Sequence, residues 1–441
     1  MKTFRTGGIY LPENKLSANK RIEKIPLPSQ VVIPLLQHVG TPAVAVVEKG
    51  AEVKVGTLLA KSEGRVSANI HSSVSGKVLE IQTLDTDARK CLAIDIAVEG
   101  DIWEDTIDRS EQLLRACNLA PEKIIEKIAE AGIVGMGGAV FPTHIKLTFS
   151  PELKADMLII NAAECEPFLT SDHQLMLTKG EEILVGTAIL MRATRVKKAF
   201  VGIENNKKDA IAHLKELSTS YAGIEIVPLK VRYPQGSEKQ LIEALTGRGV
   251  TSGSLPVSVG VVVQNVATVF AVYEAVQKNK PLIERVVTVT GKKLSNPCNV
   301  WVRIGTPVSE LIAFAGGLPE DTGKIIEGGP MMGRAFADTA IPVTKGCSGI
   351  LIMQDSESQR KEIRNCIRCS KCVNVCPVGL LPNFLMNVVE FSGWDKAKEL
   401  GIVDCIECGL CSYVCPANRQ LLDYIRLGKS KVKRIIKAKK S

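Results

Sequence analysis

The sequence predicts a multidomain α+β protein, on three observations. Residues ~27–100 are rich in Val, Ala and Gly and carry short alternating runs with no helical periodicity. From Pro121 onward, apolar strand-like runs alternate with helical stretches. Eight of the 13 cysteines crowd into two runs near the C-terminus. At 441 residues the chain has room for about three or more domains, each with its own core.

The N-terminal runs at 43–47, 58–61 and 76–81 read as short strands joined by tight turns, a small β-sandwich or barrel. The phrases Lys49-Gly50-Ala51-Glu52-Val53-Lys54-Val55-Gly56 and Ser73-Val74-Ser75-Gly76-Lys77-Val78 resemble the barrel-sandwich hybrid of lipoyl and biotinyl carriers. Where such carriers present a modified lysine, this chain reads Val66-Ser67-Ala68-Asn69-Ile70-His71 and has none. The resemblance therefore implies a structural or docking module, not a swinging arm.

Proline in the first turn and Gly132 bracket a helix over 121–130. Strands are then expected at 157–160, 199–203, 224–231 and 259–263, with helices around 174–192, 207–217, 237–246 and 266–278. This alternation implies a central parallel α/β sheet covered on both faces. Beta character returns over ~283–350, at 286–290 and at Ile304-Gly305-Thr306-Pro307, before a short helix ending at Gly316-Gly317. That region looks like the β-grasp ligand-binding module of respiratory flavin subunits. A charged helix over 356–364 is expected to lead into the cysteine runs. The expected domains are 1–110, 111–282, 283–355 and 356–425, followed by a basic tail, 426–441.

The cysteine runs are Cys366-Ile-Arg-Cys369-Ser-Lys-Cys372-Val-Asn-Val-Cys376-Pro377 and Cys405-Ile-Glu-Cys408-Gly-Leu-Cys411-Ser-Tyr-Val-Cys415-Pro416. This is the C-x2-C-x2-C-x3-C-P spacing of a two-cluster ferredoxin, written twice. Three closely spaced thiolates wrap three corners of one [4Fe–4S] cube, and the fourth cysteine of each run ligates the other run's cluster. One cluster is thus expected on Cys366, Cys369, Cys372 and Cys415, the second on Cys405, Cys408, Cys411 and Cys376. Four thiolates also suit structural zinc, but zinc knuckles come as separated C-x2-C pairs, and the third Cys and the Cys-Pro fit the cluster pattern. Cys91, Cys117, Cys298 and Cys347 have no ligand spacing and read as core residues. Cys165 reads as either a redox thiol or a partly buried free one. Such thiols place the chain in a reducing compartment.

The formal charge of +9 is concentrated at the end: Arg426, Lys429, Lys431, Lys433, Arg434, Lys437, Lys439 and Lys440 follow one another with no acid, and without them the balance is about +1. With aromatics at 4%, this is not a nucleic-acid-binding distribution. Val432, Ile435 and Ile436 lie at helical spacing among those lysines, which suits either an amphipathic segment on an acidic partner or anionic membrane face, or a frayed solvated tail. Residues 1–20 are polar and broken by Gly and Pro, so no signal segment is expected. The apolar stretch 257–276 is interrupted by Gln264, Asn265 and Glu274 and reads as a buried strand turning into a helix, not a membrane span.

The chemistry lies upstream of the clusters, at Gly135-Met136-Gly137-Gly138-Ala139-Val140-Phe141-Pro142-Thr143-His144-Ile145-Lys146. Glycines let the backbone approach a phosphate and offer it successive N–H groups, and a nearby lysine supplies counter-charge. On spacing alone this is either a phosphate loop or a Gly-rich turn, since it matches neither standard nucleotide fingerprint. The next expected strand ends in Asn161-Ala162-Ala163-Glu164-Cys165-Glu166-Pro167, and ligands gather at the carboxyl ends of parallel strands. A polar ligand explains two carboxylates placed so close together.

These segments, with Tyr233-Pro-Gln-Gly236-Ser237-Glu238 and Gln264-Asn265-Val266-Ala267-Thr268, occur in the order found in the NADH-oxidising flavin subunit of respiratory complex I. Adding Gly7-Gly8-Ile9, Leu11-Pro12, the barrel-sandwich region, Gly328-Gly329-Pro330-Met331-Met332-Gly333 and the double cysteine run, the whole chain resembles the RnfC family, from the Rnf ion-translocating ferredoxin:NAD+ oxidoreductase complexes. The resemblance implies two [4Fe–4S] clusters, non-covalent FMN, and NAD(H) as substrate. It implies a peripheral subunit at the cytoplasmic face of the bacterial membrane, with other Rnf subunits as partners, ferredoxin reached indirectly, and no nucleic acid.

Carried over, Gly135, Gly137, Gly138 and Lys146 would hold the FMN phosphate, and Asn161 and Glu164 its ribityl chain or ring edge. Phe141, Glu166 and Glu238 would face the nicotinamide nucleotide, and Tyr233, Gly236, Asn265 and Thr268 would complete the pocket. Val140 departs from the complex I pattern by replacing a glycine, and Ser237 and Ala267 by replacing acids. His144 and His173 flank the expected pocket and read as hydrogen-bonding residues. A flavin cobalamin reductase, or a cluster scaffold with a decayed flavin site, are the competing readings.

Overall fold

The computed structural model describes residues 1–86, 89–150 and 152–438. The N-terminal strands form two antiparallel sheets. One orders Gln30–Pro34, Arg89–Val98, Gly76–Thr86 and Glu52–Val53; the other pairs Val44–Ala45, Leu58–Lys61 and Ile70–His71. Strand alternation turns Val31, Ile33, Val78, Ile94 and Ile96 into a shared core with Leu59 and Ile70. The lysine-less loop is pinned down: Asn69 Nδ2 donates to the Glu130 carbonyl at 3.1 Å, and the Asn69 carbonyl accepts from Lys345 Nζ at 2.8 Å. Ser67 and Ala68 are buried. The module docks and does not swing.

The central sheet is wholly parallel, in the order Ile224–Leu229, Ala199–Glu204, Met157–Ala162, Val261–Asn265. Both faces are covered, so its strands are continuously apolar. Leu158, Ile160, Val201 and Ile203 pack into one core, while Ile159, Phe200, Val261 and Val263 pack into the opposite one. Helices Lys208–Ser218, Glu238–Thr246 and Val266–Lys278 fall where their periodicity places them. The helix expected around 174–192 is two helices, Ser171–Thr178 and Gly180–Thr194. Lys179 leaves helical geometry at φ −130°, and Gly180 restarts the helix against His213 and Leu217, where a Cβ would come within 2.9 Å. The last strand starts at Val261 because Pro256–Val259 form a 3₁₀ turn.

The β-grasp sheet has six strands, ordered Ile22–Lys24, Cys298–Arg303, Glu284–Thr290, Gly349–Gln354, Thr322–Glu327 and Arg334–Phe336. Its first strand comes from the N-terminus, so residues 1–25 lie outside the two antiparallel sheets of the N-terminal region. They run as a strap across the other domains, bridging Lys2 to Leu229 and Ile9 to Tyr233, with Gly8 N–H donating to the Val375 carbonyl at 2.9 Å. The helix expected over 356–364 is confined to Asp355–Ser358. The residues that follow are nearly all polar and offer a helix no face to bury; they run on to the cluster domain, where Arg364 N–H donates to the Ala417 carbonyl at 2.9 Å.

Short helices Lys371–Asn374 and Leu410–Tyr413 sit within the cysteine runs, and Pro382–Glu390, Trp394–Glu399 and Leu421–Ala438 complete the domain. The last helix crosses the expected boundary at 425/426. Val432 is buried and Ile436 packs on the same core, so the basic segment is not a frayed tail as far as residue 438. Lys439 and Lys440 lie outside the described residues.

Candidate functional site

In the central sheet the chain steps outward from Met157–Ala162 through Ala199–Glu204 to Ile224–Leu229, then returns to the other side of the first strand as Val261–Asn265. The carboxyl ends of Met157–Ala162 and Val261–Asn265 therefore flank a topological switch point, the place where open α/β sheets bind ligands. Asn161 and Asn265 are register partners there. Asn265 Oδ1 caps helix Val266–Lys278 by accepting from Ala267 N–H at 2.9 Å and Thr268 N–H at 3.4 Å, and its Nδ2 donates to Asp172 at 2.8 Å.

The Gly-rich loop lies over this crevice. Met136 N–H donates to Thr268 Oγ1 at 2.9 Å, and a Cβ on Gly137 would sit 3.3 Å from Asn265 Cβ. Gly135 N–H closes the loop on the Phe141 carbonyl at 2.9 Å, leaving the Phe141 side chain half-buried. Gly138, at φ +95°, has nothing within 4 Å of where a Cβ would be. Val140 adopts φ +44°, the conformation that suits the glycine it replaces.

Across the loop, Lys146 Nζ and Glu238 Oε1 pair at 2.5 Å, each partly exposed. Asn161 Nδ2 donates to the Gly236 carbonyl at 2.7 Å, and Gly236 N–H donates to Cys165 Sγ at 3.4 Å. Burial pushes the Cys165 thiol well above its ordinary range, which fits an inert thiol and not a redox one.

Open space above Gly138, backbone N–H groups, two side-chain amides and a lysine make a donor set that fits a phosphate and a polar ribityl chain. Thr143 Oγ1, His144 Nδ1 and Gln264 Nε2, buried in the flanking sequence, have no protein partner.

Three expected ligands are engaged elsewhere. Glu164, half-buried at φ +47°, caps helix Ser171–Thr178, accepting from Asp172 N–H at 2.7 Å and His173 N–H at 3.4 Å; burial raises its carboxyl. Glu166 accepts from Met331 N–H at 3.1 Å and Met332 N–H at 2.8 Å, in the turn of the β-grasp module. Burial pushes it up to about 7 against the pull of those two N–H groups. Tyr233 Oη donates to the Cys408 carbonyl at 2.9 Å, so its ring faces the cluster domain. Sequence shows that such residues are polar and close to the crevice, but not which neighbour will satisfy them.

Residues missed by sequence reasoning hold the acidic loop in place. Lys15 Nζ, from the N-terminal strap, donates to the carbonyls of Glu164, Glu166 and Leu169 at 2.9, 2.9 and 2.6 Å. Lys207 Nζ donates to the Ala163 carbonyl at 2.7 Å. Buried Arg285 donates from Nη2 to the Met136 carbonyl at 3.3 Å, tying the β-grasp sheet to the Gly-rich loop. Lys207 was within reach of sequence, since it follows the carboxyl end of a parallel strand; Lys15 and Arg285 come from remote segments.

In the cluster domain, Cys366, Cys369, Cys372 and Cys415 all line one cavity of about 430 Å³. Cys376, Cys405, Cys408 and Cys411 lie near enough to act on one another electrostatically. The eight cysteines thus fall into two groups of four in the fold. Among the described residues no three candidate side chains converge as ligands of a single ion, and the cavity has room for a multi-atom centre. Burial pushes the Cys408 and Cys411 thiols up to about 12. The second group abuts the crevice: Cys165, Tyr233, Cys408, Leu410 and Met331 share one apolar cluster. Cys366 and Cys369 are exposed.

Among curated proteins, the chain is 46% identical over 436 residues, 98% of its length and 94% of the relative's, to the C subunit of the proton-translocating ferredoxin:NAD(+) oxidoreductase complex of Clostridium ljungdahlii. It is 42% identical to the Na(+)-translocating counterpart of Acetobacterium woodii, over 98% of this chain and 97% of that one. It is also 42% identical to the C subunit of the ion-translocating oxidoreductase complex of Rhodobacter capsulatus, over 97% and 82%. The chain belongs to the RnfC family.

Family models divide this RnfC-family chain into the RnfC barrel sandwich hybrid domain at 2–102, the Nuo51 FMN-binding domain at 128–274, the SLBB domain at 286–335 and the 4Fe-4S dicluster domain at 365–419. Its fold is shared with an NAD+-reducing [NiFe]-hydrogenase crystallised in the H2-reduced state, at TM-score 0.51 and 20% identity over 71% of this chain and 62% of that one. No helix among the described residues is long and apolar enough to cross a membrane.

Proposed function

We propose that this RnfC-family protein exchanges electrons between NAD(H) and the other subunits of a membrane-bound ion-translocating ferredoxin:NAD+ oxidoreductase, from the cytoplasmic face of the membrane. FMN would supply the conversion between a two-electron hydride and the single electrons that [4Fe–4S] centres carry. The chain supplies binding and orientation. N–H groups of Gly137 and Gly138 and the Lys146 ammonium hold the phosphate, Gly135 shapes the loop through its own bond to Phe141, and Glu238 is released from its present pairing to meet the nucleotide. Asn161, Gly236, Asn265 and Thr268 shape the pocket, and Phe141 offers a ring to the nicotinamide. A hydride carries its own proton, so the transfer between nicotinamide and flavin requires no acid or base, and that proton would leave to water when the electrons pass on singly.

Cys376, Cys405, Cys408 and Cys411 hold the centre nearer the crevice. Cys366, Cys369, Cys372 and Cys415 hold the outer one, which faces partner subunits; beside it Ile367 and Phe384 are exposed at 69% and 44%. One observation carries this order: the hydrogen bond from Tyr233, at the edge of the crevice, to the backbone of Cys408. Anaerobic reconstitution with iron, sulfide and FMN, then titration with NADH, tests it. Flavin bleaching followed by cluster reduction is expected. Clusters that respond to dithionite and never to NADH would mark a scaffold.

A further inference from the structure

Glu166 sits in a built receptor for a carboxylate. Its Oε1 and Oε2 each take one N–H, from Met332 and Met331. Gly329 lies so close beneath them that a Cβ there would come within 2.2 Å of Oε2. The turn bearing these groups rests in its other direction on the cluster loop, where a Cβ on Gly409 would lie 2.9 Å from the Met331 carbonyl oxygen. Met331 also packs with Cys408, Leu410, Tyr233 and Cys165.

Three segments from three domains therefore meet at one side chain. We propose that Glu166 is a positioning residue, a latch that fixes the acidic loop to the β-grasp turn 328–333 and, through Met331, sets the seat of the Cys408–Gly409 loop beside the flavin crevice. The latch rests on the functional reading above, because it gives the β-grasp turn its role in holding nucleotide site and nearer cluster at a fixed span. Both oxygens accept, which a carboxyl group allows in either protonation state because its hydroxyl oxygen still accepts, and an amide does not: Glu166→Gln would set an NH2 against one of the two N–H donors.

The test uses the full chain with clusters reconstituted. Glu166→Gln and, from the opposite side of the contact, Gly329→Ala should each raise hydrogen exchange at the Met331 and Met332 amides by about tenfold or more. Each should also alter the electron paramagnetic resonance line shape of the nearer cluster after dithionite reduction while leaving the outer cluster's unchanged. Gly329→Ala should leave FMN affinity within about twofold of wild type. Unchanged exchange and line shape in both variants would overturn the latch. So would a Gly329→Ala protein with wild-type cluster spectra beside a Glu166→Gln protein that loses only NADH binding, the pattern of a nucleotide ligand. Failure of wild type itself to take up FMN or NADH would be a separate result, against the functional reading and not the latch.

Discussion

Single residues decide what the crevice can hold. Lys146 is placed beside the Gly-rich loop by both sequence and structure, and it is paired with Glu238 at 2.5 Å. If it binds phosphate, Lys146→Met should weaken FMN binding by about tenfold or more, the worth of a charge-assisted hydrogen bond, with little change in melting temperature. Quenching of flavin fluorescence on titration measures this. Glu166 carries a pH signature. Burial raises its pKa from an ordinary 4.5 to about 7, so the folded state binds a proton that the unfolded chain has lost. Its contribution to stability is fully present below about pH 4.5 and is lost as pH rises through about 7. Glu166→Gln should flatten this part of the fall in melting temperature between about pH 4.5 and 7; an identical slope in the variant would contradict the assignment. The Gly-rich loop and Asn161 were legible because glycine and strand-end position are local signals. The partners of Glu164, Glu166 and Tyr233 were not, because each is satisfied by a segment outside its own motif.

At the scale of elements, one helix carries much of the site. Val266–Lys278 presents its capped N-terminus to the crevice, and its placement depends on close packing against Gly180–Thr194. A Cβ on Gly186 would lie 2.4 Å from the Val269 carbonyl oxygen, a backbone atom that cannot swing aside. Gly186→Ala should therefore cost about 1–3 kcal/mol, outweighing the roughly 1 kcal/mol that alanine gains in helix propensity. Denaturant unfolding measures it, and a stabilised variant would show that the helices can separate freely. Parallel strands and helices were readable from periodicity throughout the central domain. The break at Lys179 was not, because the apolar pattern continues across it, and the helix expected over 356–364 fails because charge without an apolar face gives nothing to bury. The basic end was ambiguous for a related reason: Val432 and Ile436 pattern a helix, but their spacing does not say that the core they meet is the cluster domain itself.

For the whole molecule, the N-terminal strap binds the domains into one electron-transfer unit. Its strand joins the β-grasp sheet, Gly8 bonds the cluster domain, and Lys15 gathers three carbonyls of the acidic loop and the turn after it. Lys15→Met should destabilise the fold by about 1–3 kcal/mol for each carbonyl left unpaired. A chemical denaturation midpoint equal to wild type would deny the strap that role. Domain content was legible from motifs, whereas the strap was hidden because its contacts lie hundreds of residues away.

If the switch-point crevice feeds the cluster beside it before the exposed one, the two clusters must be reduced in that order. Rapid freeze-quench electron paramagnetic resonance after anaerobic mixing with NADH reads the order directly, using Cys415→Ser to assign the outer cluster's signal. The signal of the Cys376, Cys405, Cys408 and Cys411 cluster should rise first. Earlier reduction of the cluster on Cys366, Cys369, Cys372 and Cys415 would contradict it.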